Sequence, residues 1–230
     1  SISMAWQDRF FCRDFDSTKI PSMEVIDSIV DIIEYIPSQI LNNDHYWFLL
    51  EHDNADHVKL KEWLVDNVYY HSELFNEDTG ENEEEHFAIV LDAPYVLFSG
   101  LRKKTDHIVD ERKSSAEFNL MKSNAHLSAG AILAKLVDSN LDSAIIGCTN
   151  GMSLNPDKDS KEKRLEFRKL MKEIFPETTG WYLEPSISIC IGYGTNHRGK
   201  ETQEQMIERH GYKWKAYKNS HKSPNLIRTE

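Results

Sequence analysis

Two arginines near the start of the chain are spaced so that both could bind one anion. Arg9 and Arg13 lie four residues apart in the segment Arg-Phe-Phe-Cys-Arg-Asp-Phe. A guanidinium group donates hydrogen bonds in a fixed planar geometry that matches phosphate oxygens, so two such groups can hold a dianionic phosphate. Two exposed arginines without a ligand fit the same short pattern, because most surface charges have no specific partner. The segment by itself leaves both interpretations open.

Other segments that could do chemistry have simpler interpretations. Residues 52–57, His-Asp-Asn-Ala-Asp-His, have the composition of a metal site, but they lie in a predicted strand-to-helix turn. Asp and Asn are common there because they bond the local backbone, and Asp56 could cap the following helix. Residues 192–194, Gly-Tyr-Gly, lack the glycine spacing and the Lys-Ser/Thr of a phosphate loop. Cys12, Cys148 and Cys190 form no metal-type cluster. We therefore predict no metal site.

The composition narrows the class of protein. The 230 residues carry a formal net charge of −11, which disfavours nucleic-acid binding because the phosphate backbone would be repelled. No apolar run approaches the roughly 20 residues that a membrane-spanning helix needs. Trp6, Asp8 and Arg9 stand where a signal peptide would be apolar. No linker rich in Pro, Gly or Ser divides the chain. We expect one cytoplasmic domain over residues 1–230, with neither nucleic acid nor a membrane as a partner.

Hydrophobic periodicity predicts the elements that must position these residues. Helical spacing of apolar side chains occupies residues 21–37, 57–70, 119–137 and 159–175. Buried-strand patterns occupy residues 46–50, 95–98, 144–146 and 185–192. Residues 76–85, NEDTGENEEE, are the most hydrophilic stretch and are predicted to form an exposed loop. Helices and strands mix without strict alternation, which favours the α+β class over a parallel sheet.

The order of these segments resembles the FMN-dependent nitroreductase family. Residues 9–15, Arg-Phe-Phe-Cys-Arg-Asp-Phe, are similar to that family's first motif, Arg-x-Ser-x-Arg/Lys-x-Phe. Residues 37–47 begin with Pro-Ser, continue through an Asn-bearing loop and reach an aromatic strand, as in the family's Pro-Ser-x-x-Asn-x-Gln-Pro-Trp. Residues 185–194 resemble the late strand that ends in Leu-Gly-Tyr. The resemblance spans nearly the whole chain and implies an α+β fold, with a central mixed or antiparallel sheet flanked by helices, in an intertwined homodimer.

The resemblance also implies an FMN site built from both subunits. Arg9 and Arg13 would hold the phosphate and ribityl region, with Phe10 and Phe11 beside them. The Gly147 backbone N–H would lie near flavin N5. The other implied cofactor-binding residues are Ile145 and Ile146 along the ring; Pro37, Ser38 and Gln39 from the partner subunit; Asn42 or Asn43 as the loop asparagine; and Lys222, or less closely Arg228, as a second basic phosphate ligand.

The implied activity is the transfer of electrons from NAD(P)H through FMN to a small conjugated acceptor, such as a nitroaromatic or a quinone. The flavin carries the chemistry, so no side chain is predicted to be catalytic. Residues 200–230 are long and polar, which fits a C-terminal arm lying over the partner. Phe11 replaces the motif serine, and residues 42–47 contain no Gln-Pro. These departures support an alternative: a family-fold dimer without redox activity that acts as a flavin-binding or interaction protein.

Overall fold

The computed structural model describes residues 12, 14–38, 44–76, 80–86, 89–103, 111–147 and 159–195. The helices and strands follow one another as α1 (Met23–Val30), a 3-10 turn (Asp31–Tyr35), β1 (His45–Glu51), α2 (Ala55–Asn67), β2 (Tyr70–Asn76), β3 (Glu81–His86), α3 (Ile89–Asp92), β4 (Tyr95–Lys103), α4 (Glu111–Asp138), β5 (Asp142–Ile146), α5 (Asp159–Ile174), a second 3-10 turn (Pro176–Thr178) and β6 (Tyr182–Gly192). Among these described elements, no helix combines the length and the apolar character of a membrane span.

The central sheet has four strands in the order β1–β4–β6–β5, and every neighbouring pair is antiparallel. All four predicted strands are present, and each is longer than its apolar pattern. The register places His45 opposite Leu101 and Leu101 opposite Glu184. At the other edge, Ile146 lies opposite Ser188. The α+β class and the antiparallel sheet are therefore confirmed.

Both faces of this sheet are buried, and alternate residues of one strand enter opposite cores. On one side Phe98 and Cys190 pack with α2 and α5; on the other, Leu97 and Ile189 pack with α1 and α4. Successive side chains of a strand point to opposite faces, so a strand covered on both sides is apolar throughout. This explains the apolar run of residues 95–98 in β4, whereas β6 also buries Ser188, whose hydroxyl lies 2.7 Å from the Tyr69 hydroxyl. Each fully buried Leu, Ile or Phe side chain stabilises the fold by about 2–3 kcal/mol relative to exposure.

Pro185 lies inside β6 at a position that tolerates its missing N–H. The β4–β6 register shifts between Phe98 and Gly100, and Pro185 lies opposite Gly100 just beyond that shift. β5 pairs with β6 only from Ser188 onward, so no second neighbour needs a hydrogen bond there. A Cβ atom on Gly100 would lie 2.9 Å from Leu183 Cδ1, so a larger residue here would have to shift the Leu183 side chain.

Two helix starts differ from their predictions. Pro21 precedes the cap of α1 and lies outside the first turn; Ser22 caps the helix by accepting a hydrogen bond from the Val25 N–H at 3.3 Å. Asn54, not Asp56, caps α2, because its Oδ1 accepts from the N–H groups of Asp56 and His57 at 3.0 and 3.2 Å. An Asn cap satisfies the same backbone donors that an Asp cap would. Composition alone did not identify which residue reaches them.

The acidic stretch forms a hairpin where the sequence predicted a loop. β2 and β3 pair antiparallel, with Asn76 opposite Glu81, in a ribbon separate from the central sheet. Gly80, directly before β3, has a φ of +71°, which glycine adopts readily. The loop prediction was wrong because it rested on hydrophilic composition. Composition indicates that the side chains are exposed, whereas backbone groups can pair with each other whatever the side chains are.

One lysine is buried in the core that α2 shares with the sheet. Lys61 is 1% exposed, and its Nζ donates to the Ala93 carbonyl at 3.0 Å. Burial lowers the pKa of Lys61 from 10.5 to about 8, although Cys190 and Asp92 act in the opposite direction. The same burial raises the pKa of the Cys190 thiol. The folded protein therefore holds a charge at neutral pH that would be better solvated in the unfolded chain.

We expect Lys61→Met to increase the free energy of unfolding at pH 7 and to remove a pH dependence. A folded pKa of about 8 against 10.5 means that the unfolded chain alone binds this proton between the two values. The stability of the wild type should therefore rise relative to the variant by about 3 kcal/mol as the pH increases through this window. Urea unfolding at pH 7 and pH 10 measures both effects. The control is Lys59→Met, at an exposed position on the same helix. The difference in unfolding free energy between this variant and the wild type should be the same at pH 7 and pH 10.

Candidate functional site

The end of β5 exposes backbone without a side chain. Ile146 is buried and Ile145 is half-buried, whereas Gly147, which follows the strand directly, is exposed. Among the residues that the structure describes, none comes within 4 Å of a Cβ atom placed on Gly147. A flat ligand could therefore approach the Gly147 backbone closely, next to an apolar strand end. The structure brings together these three predicted site residues.

The described part of the N-terminal segment crosses the start of β5. Cys12 donates its N–H to the Ser143 carbonyl at 3.0 Å, and Phe15 forms an antiparallel bridge with Gly194. Two further backbone bonds fix the segment to the end of β6: Asp16 N–H to Tyr193 O at 2.7 Å and Thr195 N–H to Asp14 O at 2.9 Å. The segment is therefore held by its backbone against both strands at once.

Two glycines make this crossing possible. A Cβ atom on Gly194 would lie 2.8 Å from Cys12 Sγ, and one on Gly192 would lie 2.9 Å from Phe15 Cδ1. The buried carboxylate of Asp142 accepts the Gly194 N–H at 2.8 Å. We call Cys12, residues 14–16, Asp142, Gly192 and Gly194 together the N-terminal clamp. The sequence analysis missed this role because it weighed the glycines only as a phosphate loop.

Pro37 and Ser38 follow the first 3-10 turn and are exposed. They lead toward β1, which is the opposite edge of the sheet from β5. Two strands, β4 and β6, lie between those edges, so three strand spacings of about 4.8 Å separate β1 from β5 by about 14 Å. Within one chain, the two sets of predicted site residues thus belong to segments that lead to opposite edges of the sheet.

A polar cluster lies between the start of β1 and α4. His45 Nε2 and Ser99 Oγ are 2.8 Å apart, and Trp47 Nε1 donates to Ser128 Oγ at 3.0 Å. The His45 and Trp47 rings meet edge to face, with centroids 5.1 Å apart. Burial, and less strongly His126, lowers the pKa of His45 to about 4, so its imidazole is neutral at physiological pH. These bonds fix the position of the strand that follows residues 39–43.

Several predicted site residues lie outside the described part of the chain: Arg9, Phe10, Phe11, Arg13, Gln39, Asn42, Asn43, Lys222, Arg228 and the whole of residues 200–230. His57, from the segment weighed as a metal site, accepts the Glu51 N–H at its Nδ1 at 3.0 Å and so belongs to the local turn. Within the described ranges, no three His, Cys, Asp or Glu side chains group as a metal ion would require.

A comparison of the sequence with protein-family models and with curated proteins finds no match. Solved structures do match. A nitroreductase with bound FMN from Bacteroides fragilis has a TM-score of 0.57 at 12% identity, over 88% of this chain and 92% of that one. The hypothetical oxidoreductase YcnD from Bacillus subtilis has a TM-score of 0.55 at 14% identity, over 98% and 87%. A nitroreductase family protein from Clostridium novyi NT has a TM-score of 0.51 at 14% identity, over 89% and 90%.

These likenesses extend over most of each chain, while so few residues are identical that they concern the fold alone. They agree with the antiparallel sheet and its flanking helices described above. The chain therefore has the nitroreductase fold, as the order of its motifs predicted.

Proposed function

We propose that the protein is an FMN-dependent oxidoreductase that takes electrons from NAD(P)H and passes them to a small conjugated acceptor, such as a nitroaromatic or a quinone. The observation that carries the proposal is the open backbone at Gly147, at the end of an otherwise buried strand. The nitroreductase from Bacteroides fragilis with the same fold has FMN bound. The family resemblance assigns the flavin ring to this position.

The described residues fit a flavin ring. The half-buried Ile145 offers an apolar surface beside buried Ile146, and Gly147 lets the ring approach the backbone without a clash. When bound, FMN supplies the capacity to accept a hydride and to release electrons to a second substrate. The protein would position the ring, keep one face open and direct the Gly147 N–H at N5. None of these tasks requires a side chain that acts as an acid or base.

The N-terminal segment supports a phosphate site on the same strand. Phe15 of the segment lies beside Gly194, and Cys12 lies beside Ser143. From Phe15 back to Cys12, the segment therefore runs in the direction in which β5 leads to Gly147. Arg9 precedes Cys12 by three positions, so the two Cα atoms can lie at most about 11 Å apart. The phosphate would then meet Arg9 and Arg13 beside the ring. Local cations are needed there because the chain as a whole carries a net charge of −11.

We further propose that the protein is a homodimer in which each pocket uses both chains. The face of α4 that points away from the sheet carries two exposed leucines seven residues apart, Leu120 and Leu127, and the exposed Gly130. Residues seven apart share one helix face, and glycine allows a second helix to approach closely. Within one chain, Pro37 and Ser38 lead to the sheet edge opposite Gly147. A partner that packs on this face of α4 would bring its own Pro37 and Ser38 to Gly147.

A cytoplasmic location is part of the proposal. Cys190 is a buried free thiol. Unpaired thiols are typical of reducing compartments.

The second candidate is a flavin-binding dimer without redox activity. Phe11 in place of the motif serine removes a hydroxyl that could bond the cofactor, and Asp44 lies in the segment where the family carries Gln-Pro. An additional carboxylate near an anionic cofactor would weaken binding if it faced the site. This candidate shares the FMN pocket with the first but predicts no reaction with NAD(P)H.

The absorption spectrum of the purified protein separates these candidates. We expect a yellow protein, or one that becomes yellow on titration with FMN, whose flavin absorption bleaches when NADPH or NADH is added under anaerobic conditions. Flavin absorption that persists with both nucleotides would favour the non-redox candidate. A colourless protein that ignores added FMN would contradict both.

Gly147→Val should weaken FMN binding without destabilising the protein. The new side chain has open space in the ligand-free protein, but it would occupy the volume that the ring needs. We expect the dissociation constant for FMN to rise at least about tenfold, equivalent to about 1.4 kcal/mol, while the melting temperature stays within error of the wild type. Gly147→Ala should have a smaller effect on affinity. If the wild type and both variants bound FMN with equal affinity, the flavin ring would not lie at this strand end.

Leu127→Lys should shift the protein from dimer to monomer. It places a charge within the proposed contact, where a buried unpaired charge is strongly unfavourable. Sedimentation analysis measures the change in mass, and FMN affinity should fall with it because the pocket needs both chains. The matched control is Leu165→Lys on α5, since Leu165 is 53% exposed and Leu127 is 46% exposed. A monomeric wild type would refute the dimer.

A further inference from the structure

We propose that Asp142, Gly192 and Gly194 are positioning residues that hold the phosphate-binding segment in place for the cofactor. This inference rests on the proposed function, because it takes Arg9 and Arg13 as the phosphate ligands. It assigns the late Gly-Tyr-Gly of residues 192–194 a task that is neither a phosphate loop nor only the end of a strand. The three residues act through the clamp and need not touch FMN.

The hydrogen bonds of the clamp connect three separate parts of the chain. The Asp142 carboxylate, 4% exposed, accepts the Gly194 N–H. On its other side, Gly194 bridges to Phe15, and Thr195 donates both its N–H and its Oγ1 to Asp14. A hydrogen bond to a buried charged acceptor contributes more than a neutral one. The first residue of β5 therefore fixes the end of β6, which in turn fixes the N-terminal segment.

The side chains of the segment pack directly on the two glycines. Cys12, which is 1% exposed, and Phe15, which is 5% exposed, occupy the space that Cβ atoms at Gly194 and Gly192 would take. Pro94, the residue before β4, closes the space at Gly192, since its Cδ would lie 2.7 Å from a Cβ there. Any side chain at either glycine must displace the segment or its neighbours.

The clamp and the ring site lie at the two ends of one short strand. Asp142 begins β5 and Gly147 follows its last residue, so about 17 Å of strand separates them. Because β5 is hydrogen-bonded along its length to β6, this separation is fixed. Holding the segment at one end of a rigid strand sets where Arg9 and Arg13 can lie relative to the ring. Binding is then stronger because the ligands are ordered before the cofactor arrives.

The experiment combines hydrogen exchange of the full-length protein with FMN titration. Gly194→Ala should speed amide exchange in the peptide that contains residues 9–16 and raise the dissociation constant for FMN at least about tenfold. A tenfold rise follows if only about one tenth of the molecules hold the segment in place, since affinity falls with the competent fraction. Asp142→Ala should do the same, and Asp142→Asn, which retains an acceptor for the Gly194 N–H, should recover most of the affinity.

Gly100→Ala is the matched control. Its Cβ would also crowd a neighbour, Leu183 Cδ1, but Gly100 lies opposite Pro185, about 30 Å along β6 from Gly194. It should lower stability while changing FMN affinity less than about twofold. If Gly194→Ala does not fold, Thr195→Val removes only the side-chain bond to Asp14 from an exposed position. It should then show smaller changes in the same direction.

The outcomes are distinguishable. Faster exchange of residues 9–16 together with weaker FMN binding, in the clamp variants alone, supports the inference. Wild-type FMN affinity in Gly194→Ala, or unchanged exchange in that peptide, overturns the inference and leaves the proposed function intact. A wild-type protein that binds no FMN overturns the proposed function, and the inference falls with it.

Discussion

The structure depends on a central sheet that is covered on both faces. With β4 and β6 packed between helices on either side, almost every side chain of these strands is buried. Such a sheet can offer a ligand only the ends of its strands and its outer edges, because elsewhere the surface is occupied by helices. β5 provides both, since it is the last strand of the sheet and ends in an exposed glycine. The location of the candidate site therefore follows from how the sheet is buried.

The sequence predicted the covered sheet better than its surroundings. Strands such as Ala144-Ile145-Ile146 were recognisable because burial on both faces demands an unbroken apolar run. The hairpin of β2 and β3 was not recognisable, because its backbone pairing leaves no mark in so acidic a composition. The burial of Lys61 also left no signal in the sequence, since its hydrogen bond to Ala93 joins residues 32 positions apart. Local patterns cannot report a partner that only the fold supplies.

The sequence likewise identified one part of the candidate site and missed another. Ile145, Ile146 and Gly147 were assigned to a flavin site from a resemblance that preserves the order of motifs; the structure places them at the end of β5, and their role stays a prediction. The roles of Asp142 and Gly194 could not be assigned in this way, because the bond that joins them spans 52 positions of the chain. Residue type gave no hint either, since an aspartate at a strand start and a glycine at a strand end are both ordinary. The folded chain shows why glycine stands there: a Cβ atom on Gly194 would lie 2.8 Å from Cys12 Sγ.

The departures from the family motifs make the position of the N-terminal segment more important. Without the serine hydroxyl that Phe11 replaces, the first motif retains only its two arginines as strong phosphate ligands. In a chain with a net charge of −11, no general positive potential would help to attract the anion, so the proposed site depends on a few local cations held at the right place. Long arginine side chains lose considerable freedom when they are ordered, and a backbone already fixed by β5 and β6 reduces what remains to be ordered. If the proposed function holds, a clamp built from backbone bonds, tight glycines and one buried carboxylate offsets the loss of the motif serine.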